Sequence, residues 1–390
     1  MEYNVNIRKE IFGATLLNLN NGKRVYVTES ELESVTQEKI FPDDVASIMP
    51  QSEELNYKLT DYDDYSNSFS FADIAFLELT RGCNLKCKHC LNNSGISEKN
   101  QINFEGWYSL ITQLADAGIQ EIRFTGGEPL IFDGIYDLMK HASELGIFVS
   151  IGTNATLITK EVARKLKENG LKRAVVSLDG TEEMHNEIRG EGNYKKTIDA
   201  IKYLQEEGIS IKVNSVIMRS NMDDVINLAK QLNREKISVF IRRFIESGRG
   251  ANLKENMLSK KDYEYVNEAL REELESAPYV RGHYIRLTDE GKHARIELPF
   301  ALRSGCKAGQ RALVITPNGD IHFCGFLAAQ GFEPISNVSK IEDWKVFWKD
   351  LQQTDKLEVL ENNLENYNNQ PGVQPTNCLA YVQRYLNGGK

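Results

Sequence analysis

Cysteine is scarce in this chain, six in 390 residues, and the six fall into two groups of three, at 83, 87, 90 and at 306, 324, 378. Three cysteines in one short loop are an odd number and cannot form a disulfide framework among themselves. No apolar run approaches the ~18 residues a membrane span needs. The first residues, MEYNVNIRKE, lack the apolar stretch of a secretory signal. Both features, with the tight first cysteine group, lead to the expectation of a reducing cytoplasm and metal-bound thiolates. Basic residues are outnumbered, 47 Lys and Arg against 56 Asp and Glu, for a net charge of −9. That balance argues against non-specific nucleic-acid binding, which needs a basic surface. It suits a small-molecule or peptide substrate. There is no internal repeat and no long low-complexity tract.

What remains is ordinary for a globular protein, 41% apolar and 26% charged, with length enough for two or three domains. Residues 1–66 read as a small unit. EIFGATLLNL and KRVYVTE flank Asn20-Asn21-Gly22, a type I′ hairpin signal. Thr28-x-x-Glu31 is a capping box opening a helix, and residues 51–66 read as a polar linker. The unit is either a hairpin packed on the main domain or a free edge able to add a peptide strand.

Residues 72–290 alternate strand and helix patterns. Strands are expected at IAFLEL, EIRFT, FVSIGTN, RAVVSLD, IKVNSVI and SVFIRRF. Helices such as FEGWYSLITQLADAG and TKEVARKLKENG end at glycine, as C-caps do. Six β-α units with right-handed crossovers predict an α/β fold built on a partial (β/α)6 TIM-like barrel, with its chemistry at the carboxyl ends of the strands. Residues 300–390 change character. Cys306-x-x-Gly309 precedes ALVITPNGDIHFC, in which Pro317-Asn318-Gly319-Asp320 marks a hairpin turn before Cys324. Residues 361–375, rich in Asn, read as a loop.

The first cysteine group stands in RGCNLKCKHC, directly after IAFLEL. The C-x3-C-x2-C spacing suits three corners of a cubane iron–sulfur cluster and leaves one iron open for chemistry. A zinc site with His89 as a fourth ligand is the alternative. Downstream, IRFTGGEPL carries Gly126-Gly127-Glu128-Pro129 after the next strand, where two glycines let backbone approach a ligand closely. An ordinary strand–turn–helix connection would also contain such a pair.

Taken together, C-x3-C-x2-C and GGEP one β-α unit later resemble the radical S-adenosylmethionine (radical SAM) enzymes over about residues 72–250. The resemblance implies a 4Fe–4S cluster on Cys83, Cys87 and Cys90, with SAM chelated to the open iron. It further implies that the segment of Gly126, Gly127 and Glu128 holds the methionine amino group. Ser177 and Asp179, in SLDG after the fourth strand, lie near SAM in that family, though Asp-Gly also closes turns. Arg189 is a candidate for the SAM carboxylate or for a surface ion pair. His89 occupies a position where the family has an aromatic residue near the adenine, and an imidazole can stack there. Asn154 and Asn214 are candidates for cofactor or substrate contact, or for structural roles.

Cys306, Gly309 and the P-x-G-x4-C pattern ending at Cys324 resemble SPASM and twitch extensions. These extensions imply a second 4Fe–4S cluster on Cys306, Cys324 and Cys378. Three cysteines support at most one such cluster, as in a twitch domain; the alternative is that they are small buried side chains. His322 is a possible ligand but is expected to face solvent on a strand. The N-terminal hairpin followed by helices resembles a leader-peptide recognition element, though a short one. The whole then resembles enzymes that mature ribosomally made peptides, working on a precursor peptide with a flavodoxin- or ferredoxin-type low-potential donor. No nucleic-acid or membrane partner is expected. Thioether formation, carbon–carbon or carbon–oxygen crosslinking, and epimerisation compete. Epimerisation needs a spare thiol, and none is left if both groups bind clusters, so crosslinking is favoured. A radical SAM enzyme acting on a small molecule such as a tetrapyrrole is the other reading.

Overall fold

The computed structural model describes residues 3–41, 43–46, 49–50, 54–63, 69–271, 280–282, 308–309, 311–354, 362–363, 366 and 382. The N-terminal unit is a four-stranded sheet of β1 (Val5–Glu10), β2 (Gly13–Asn18), β3 (Arg24–Val27) and β4 (Tyr57–Thr60), in the order β3-β2-β1-β4. The turn at Asn20–Gly22 joins antiparallel β2 and β3. The type I′ turn is a correction: Gly22 takes a positive φ, +67°, but Asn20 and Asn21 do not, and Asn18 N bonds to Lys23 O across a longer, four-residue loop. Thr28 caps α1 (Glu29–Glu33) through the expected capping box with Glu31, and α2 (Asp43–Ala46) follows. Val5, Ile7, Leu16, Val27, Leu32 and Val35 form this unit's own core. Residues 57–60 are a correction, since they are not linker but β4, paired in parallel with β1. The anchor is Lys58, whose Nζ donates to the carbonyls of Ala115 and Leu145 at 3.0 and 3.1 Å. A lysine stem covering apolar surface while its head finds carbonyls reads as polar linker in one dimension.

The six expected strands are all present. They are β5 (Ile74–Thr80), β6 (Glu121–Gly126), β7 (Phe148–Thr153), β8 (Leu171–Ser177), β9 (Ser210–Ile217) and β10 (Ser238–Arg243), each parallel to the next. A short β11 (Val280–Gly282) extends the row beyond β10. Between them lie α3 (Phe104–Asp116), α4 (Ile135–Glu144), α5 (Lys160–Glu168), α6 (Glu182–Arg189), α7 (Asn193–Glu206) and α8 (Met222–Arg234), with α9 (Lys260–Ala269) after β10. The physical logic is visible in α3. Asn103 caps it by accepting from Gly106 N at 3.0 Å. Trp107, Leu110, Ile111 and Leu114 then fall on one buried face. This face packs on Ala75, Leu77 and Leu79 in the main core. The alternate residues Phe76, Glu78 and Thr80 point to the other side, the barrel interior. The architecture is the expected α/β partial barrel.

On the opposite edge, β12 (Ala312–Ile315) pairs in parallel with β5, and β13 (Asp320–His322) and β14 (Ser336–Asn337) continue the same sheet antiparallel. α10 (Gly325–Ala329) lies between them, and α11 (Trp344–Gln352) follows. Trp348 Nε1 donates to the Phe69 carbonyl at 2.8 Å. The C-terminal hairpin is thus joined to the strand that carries the cysteine loop.

The N-terminal sheet sits against the amino ends of the barrel strands. Asp73, fully buried just before β5, receives Arg8 at 2.8 Å, Arg311 at 2.6 Å and Arg24 at 3.5 Å. Arg8 also holds Glu10 at 2.7 Å. The Asn21 carbonyl in the hairpin turn accepts from Arg173 at 3.2 Å. This leaves the carboxyl ends of the strands for the site.

Candidate active site

Cys83, Cys87 and Cys90 lie in the loop leaving β5. Cys87 is buried and the other two are half-buried, while Asn84, Lys86 and Lys88 between them face solvent. The GGEP loop after β6 is pressed against this loop. Gly127 N donates to Thr80 O at 2.7 Å and Glu128 N to Gly82 O at 2.9 Å. Gly126 has φ +136°, and a Cβ there would stand 2.4 Å from Thr80 O. At Gly127 a Cβ would stand 2.0 Å from Gly82 O. The glycines are therefore required by the contact between two loops, whatever ligand the loops also hold.

Glu128 turns inward. Its carboxylate accepts from Thr153 Oγ1 at 2.8 Å, Asn154 N at 2.9 Å and Leu130 N at 3.2 Å. Burial outweighs these donors and pushes its pKa up to about 7. The side chain braces the loops after β6 and β7, so what this loop offers a ligand is backbone. Asn154 donates to Asn84 Oδ1 at 2.9 Å and lies 4.0 Å from Cys83 Sγ. It ties the third strand's loop to the cysteine loop.

Asp179, after β8, is the hub of the other side. Its Oδ2 receives Arg189 Nε at 2.6 Å and lies 2.7 Å from His89 Nε2. Its Oδ1 accepts from Val216 N at 2.8 Å. Burial alone would raise this carboxyl, but Arg189 and His89 hold it well below the usual carboxylate range. Arg189 Nη1 reaches Cys87 Sγ at 3.7 Å. Burial works against the Arg189 charge, and Asp179 and Cys87 more than restore it, so its pKa is raised. His185 is pushed down to about 4 by burial and by Arg189, and its Nδ1 accepts from Asp179 N at 3.3 Å. Ser177 is half-buried at the end of β8. Its register neighbour Asn214 accepts from Arg242 Nε at 2.5 Å.

Sequence reasoning missed four contributors. Arg249 clamps the cysteine loop, donating to Cys87 O at 2.9 Å and Ser94 O at 2.5 Å. Gly248 before it has φ +55°, and a Cβ there would meet Cys90 O and Leu91 O at 2.3 Å. The Ser-Gly-Arg-Gly run after the sixth strand was a usable signal for this close approach. Thr153 and His185 carried none, because their partners are Glu128 in the loop after β6 and Asp179 in the adjoining turn.

Of the second cysteine group, Cys324 is half-buried at the N-cap of α10, accepting from Phe326 N at 3.4 Å. Cys306 and Cys378 lie outside the described residues, as does most of 361–375. His322 is a correction. It is buried rather than solvent-facing, paired with Val314 of β12 and with its charged form disfavoured by burial.

The chemistry of the first group fits a cubane cluster, for which three cysteine thiolates leave one iron open. His89 Nε2 is engaged by Asp179 and so is not itself a free metal ligand. Each sulfur meets a donor suited to a ligated thiolate: Leu85 N to Cys83 and Ser94 N to Cys90, both at 3.4 Å, and Arg189 to Cys87. Without metal, burial pushes the Cys83 and Cys87 thiols up.

Among the described residues no helix is long and apolar enough to cross a membrane. The sequence profile of the Radical SAM superfamily matches residues 77–232, which span the cysteine loop, GGEP and the Asp179–Arg189 segment. An AdoMet-dependent heme synthase of Nitratidesulfovibrio vulgaris is 28% identical over 272 residues, covering 64% of this chain and 72% of its own. The mycofactocin maturase MftC of Mycolicibacterium smegmatis is 28% identical over 254 residues, 64% of this chain and 63% of its own. In fold, the chain resembles Streptococcus suis SuiB bound to precursor peptide SuiA. The TM-score is 0.65 at 22% identity, over 90% of this chain and 89% of that one. Three cysteines with donors on their sulfurs, a glycine seam beside them and the matching profile identify residues 77–232 as a radical SAM domain.

Proposed function

We propose that the protein is a radical SAM maturase that forms a crosslink, thioether or carbon–carbon or carbon–oxygen, in a ribosomally made precursor peptide. The observation that carries this reading is the extent of the fold likeness. It spans 90% of the chain, well past the superfamily segment, and takes in an N-terminal sheet and a C-terminal hairpin. The relative concerned was crystallised with a precursor peptide, and the mycofactocin maturase supports the same class.

A 4Fe–4S cluster with SAM, when bound, supplies a 5′-deoxyadenosyl radical able to take hydrogen from an unactivated carbon. Cys83, Cys87 and Cys90 are the residues to hold the cluster. The backbone of Gly126, Gly127 and Glu128 and the mouth residues Ser177 and Asn214 are placed to position cofactor and substrate. His89, Asp179 and Arg189 brace the same wall. A second 4Fe–4S cluster on Cys306, Cys324 and Cys378 in a twitch-like extension belongs to this proposal. So do residues 1–66 as a peptide-recognition unit and a flavodoxin- or ferredoxin-type donor.

A second reading, a tetrapyrrole substrate, is favoured by the heme synthase relative. The test is anaerobic turnover of the reconstituted enzyme with SAM, reductant and, as candidate substrate, the peptide of any short open reading frame found beside its gene. Crosslinking predicts 5′-deoxyadenosine and a peptide lighter by two hydrogens. A peptide of unchanged mass in ordinary water that gains one deuterium in heavy water would instead establish epimerisation. Turnover only with an iron tetrapyrrole would overturn the peptide assignment.

A further inference from the structure

We propose that Arg189 acts on the cluster itself, as a charged donor to the Cys87 thiolate held in aim by Asp179, and so sets how readily the cluster is reduced. The inference rests on assigning a cluster to Cys83, Cys87 and Cys90. It replaces the two expectations for this arginine, a bond to the SAM carboxylate or a surface ion pair.

Three observations carry it. First, the arginine is not at the surface: its side chain is 9% exposed and that of Asp179 fully buried. Second, the arm is fixed at every joint. Asp179 is held by Val216 N and His89, and the guanidinium by Asp179 at 2.6 Å. The helix carrying Arg189 is pinned to the cysteine loop by Lys88 N donating to Ile188 O at 2.9 Å. Third, the sulfurs are treated unequally. Cys83 and Cys90 receive neutral backbone amides, whereas Cys87, the buried one, receives a full positive charge at 3.7 Å. Hydrogen bonds to the sulfurs and local charge set the potential of an iron–sulfur cluster. Reduction adds one negative charge, and a fixed cation nearby favours it, more so where water is excluded. Asp179 has the opposite electrostatic effect and at the same time positions the cation.

The two residues therefore make opposite predictions, which a general structural lesion would not. The experiment is an EPR-monitored redox titration of the SAM-free reconstituted cluster in wild type, Arg189→Gln, Arg189→Lys and Asp179→Asn, with SAM affinity measured alongside. Arg189→Gln should make the cluster harder to reduce, lowering the reduced-to-oxidised ratio at a given potential about tenfold, which is 59 mV for one electron. Asp179→Asn should move it the other way, and Arg189→Lys should lie between Arg189→Gln and wild type. An unchanged potential in Arg189→Gln overturns the inference; weakened SAM binding with it returns Arg189 to the SAM carboxylate. If Arg189→Gln takes up no cluster, Arg189→Lys decides: a lowered potential supports the inference, and an unchanged one overturns it. The iron content of the wild type tests the cluster assignment separately.

Discussion

Replacing Gly127 with alanine tests the seam on which the site depends. The new Cβ would stand 2.0 Å from Gly82 O, 2.7 Å from Gly82 C and 2.8 Å from Arg81 O, all of them backbone. Ordinary contact begins at 3.4 Å, so the two loops must part by about 1.4 Å, and no side chain can swing away to absorb it. Overpacking of this kind costs about 1–3 kcal/mol. The same displacement strains the bonds from Gly127 N to Thr80 O and Glu128 N to Gly82 O, each worth about 1 kcal/mol net. We expect Gly127→Ala to lose about 3–5 kcal/mol in urea unfolding and most of the iron bound at the first cysteine group. Gly95→Ala is the control. It lies beside the same loop, bridged to Gly82, yet a Cβ there meets nothing within 4 Å. It should stay within about 0.5 kcal/mol of wild type. If Gly127→Ala matches Gly95→Ala in midpoint and iron content, the reasoning from backbone contact is wrong.

Three further outcomes are expected. Asp73→Asn leaves Arg8, Arg24 and Arg311 around a neutral group and should cost about 3–5 kcal/mol in urea; a loss below about 1 kcal/mol would mean the cluster behaves as a surface pair. Glu128 has a folded pKa of about 7 against an ordinary 4.5, so its contribution is complete below pH 4.5 and is lost as pH rises through 7. Wild type should lose on the order of 3 kcal/mol across that window relative to Glu128→Gln, and parallel stability curves for the two proteins would refute it. In the Cys83/Cys87/Cys90→Ala variant, about eight irons should fall to about four if a second cluster exists; an iron-free variant would remove that cluster and bring epimerisation forward.

Much of the barrel was legible because its signals are local. Strand runs such as IAFLEL and SVFIRRF, helices closed by glycine, and the Thr28–Glu31 box depend on neighbours a few residues away, and each formed where the pattern put it. The ligand loop was legible for the same reason, since three thiols within eight positions need no tertiary knowledge. What stayed hidden depends on groups far apart in sequence. β4 looked like linker because its lysine is satisfied only by carbonyls on α3 and beyond α4. Glu128 looked like a ligand-facing acid until the loop after β7 supplied its donors. His322 reads as an exposed strand residue, yet the fold buries it. Arg189 and Asp179 were candidate cofactor residues by pattern; only packing α6 against the cysteine loop showed a guanidinium turned to a sulfur. The sequence by itself determined the barrel's order and the identity of the thiols, because periodicity and spacing are one-dimensional. Which charges meet, and therefore how the buried groups titrate and what field the thiolates feel, was decided only by tertiary structure, because those energies depend on distance and exclusion of water.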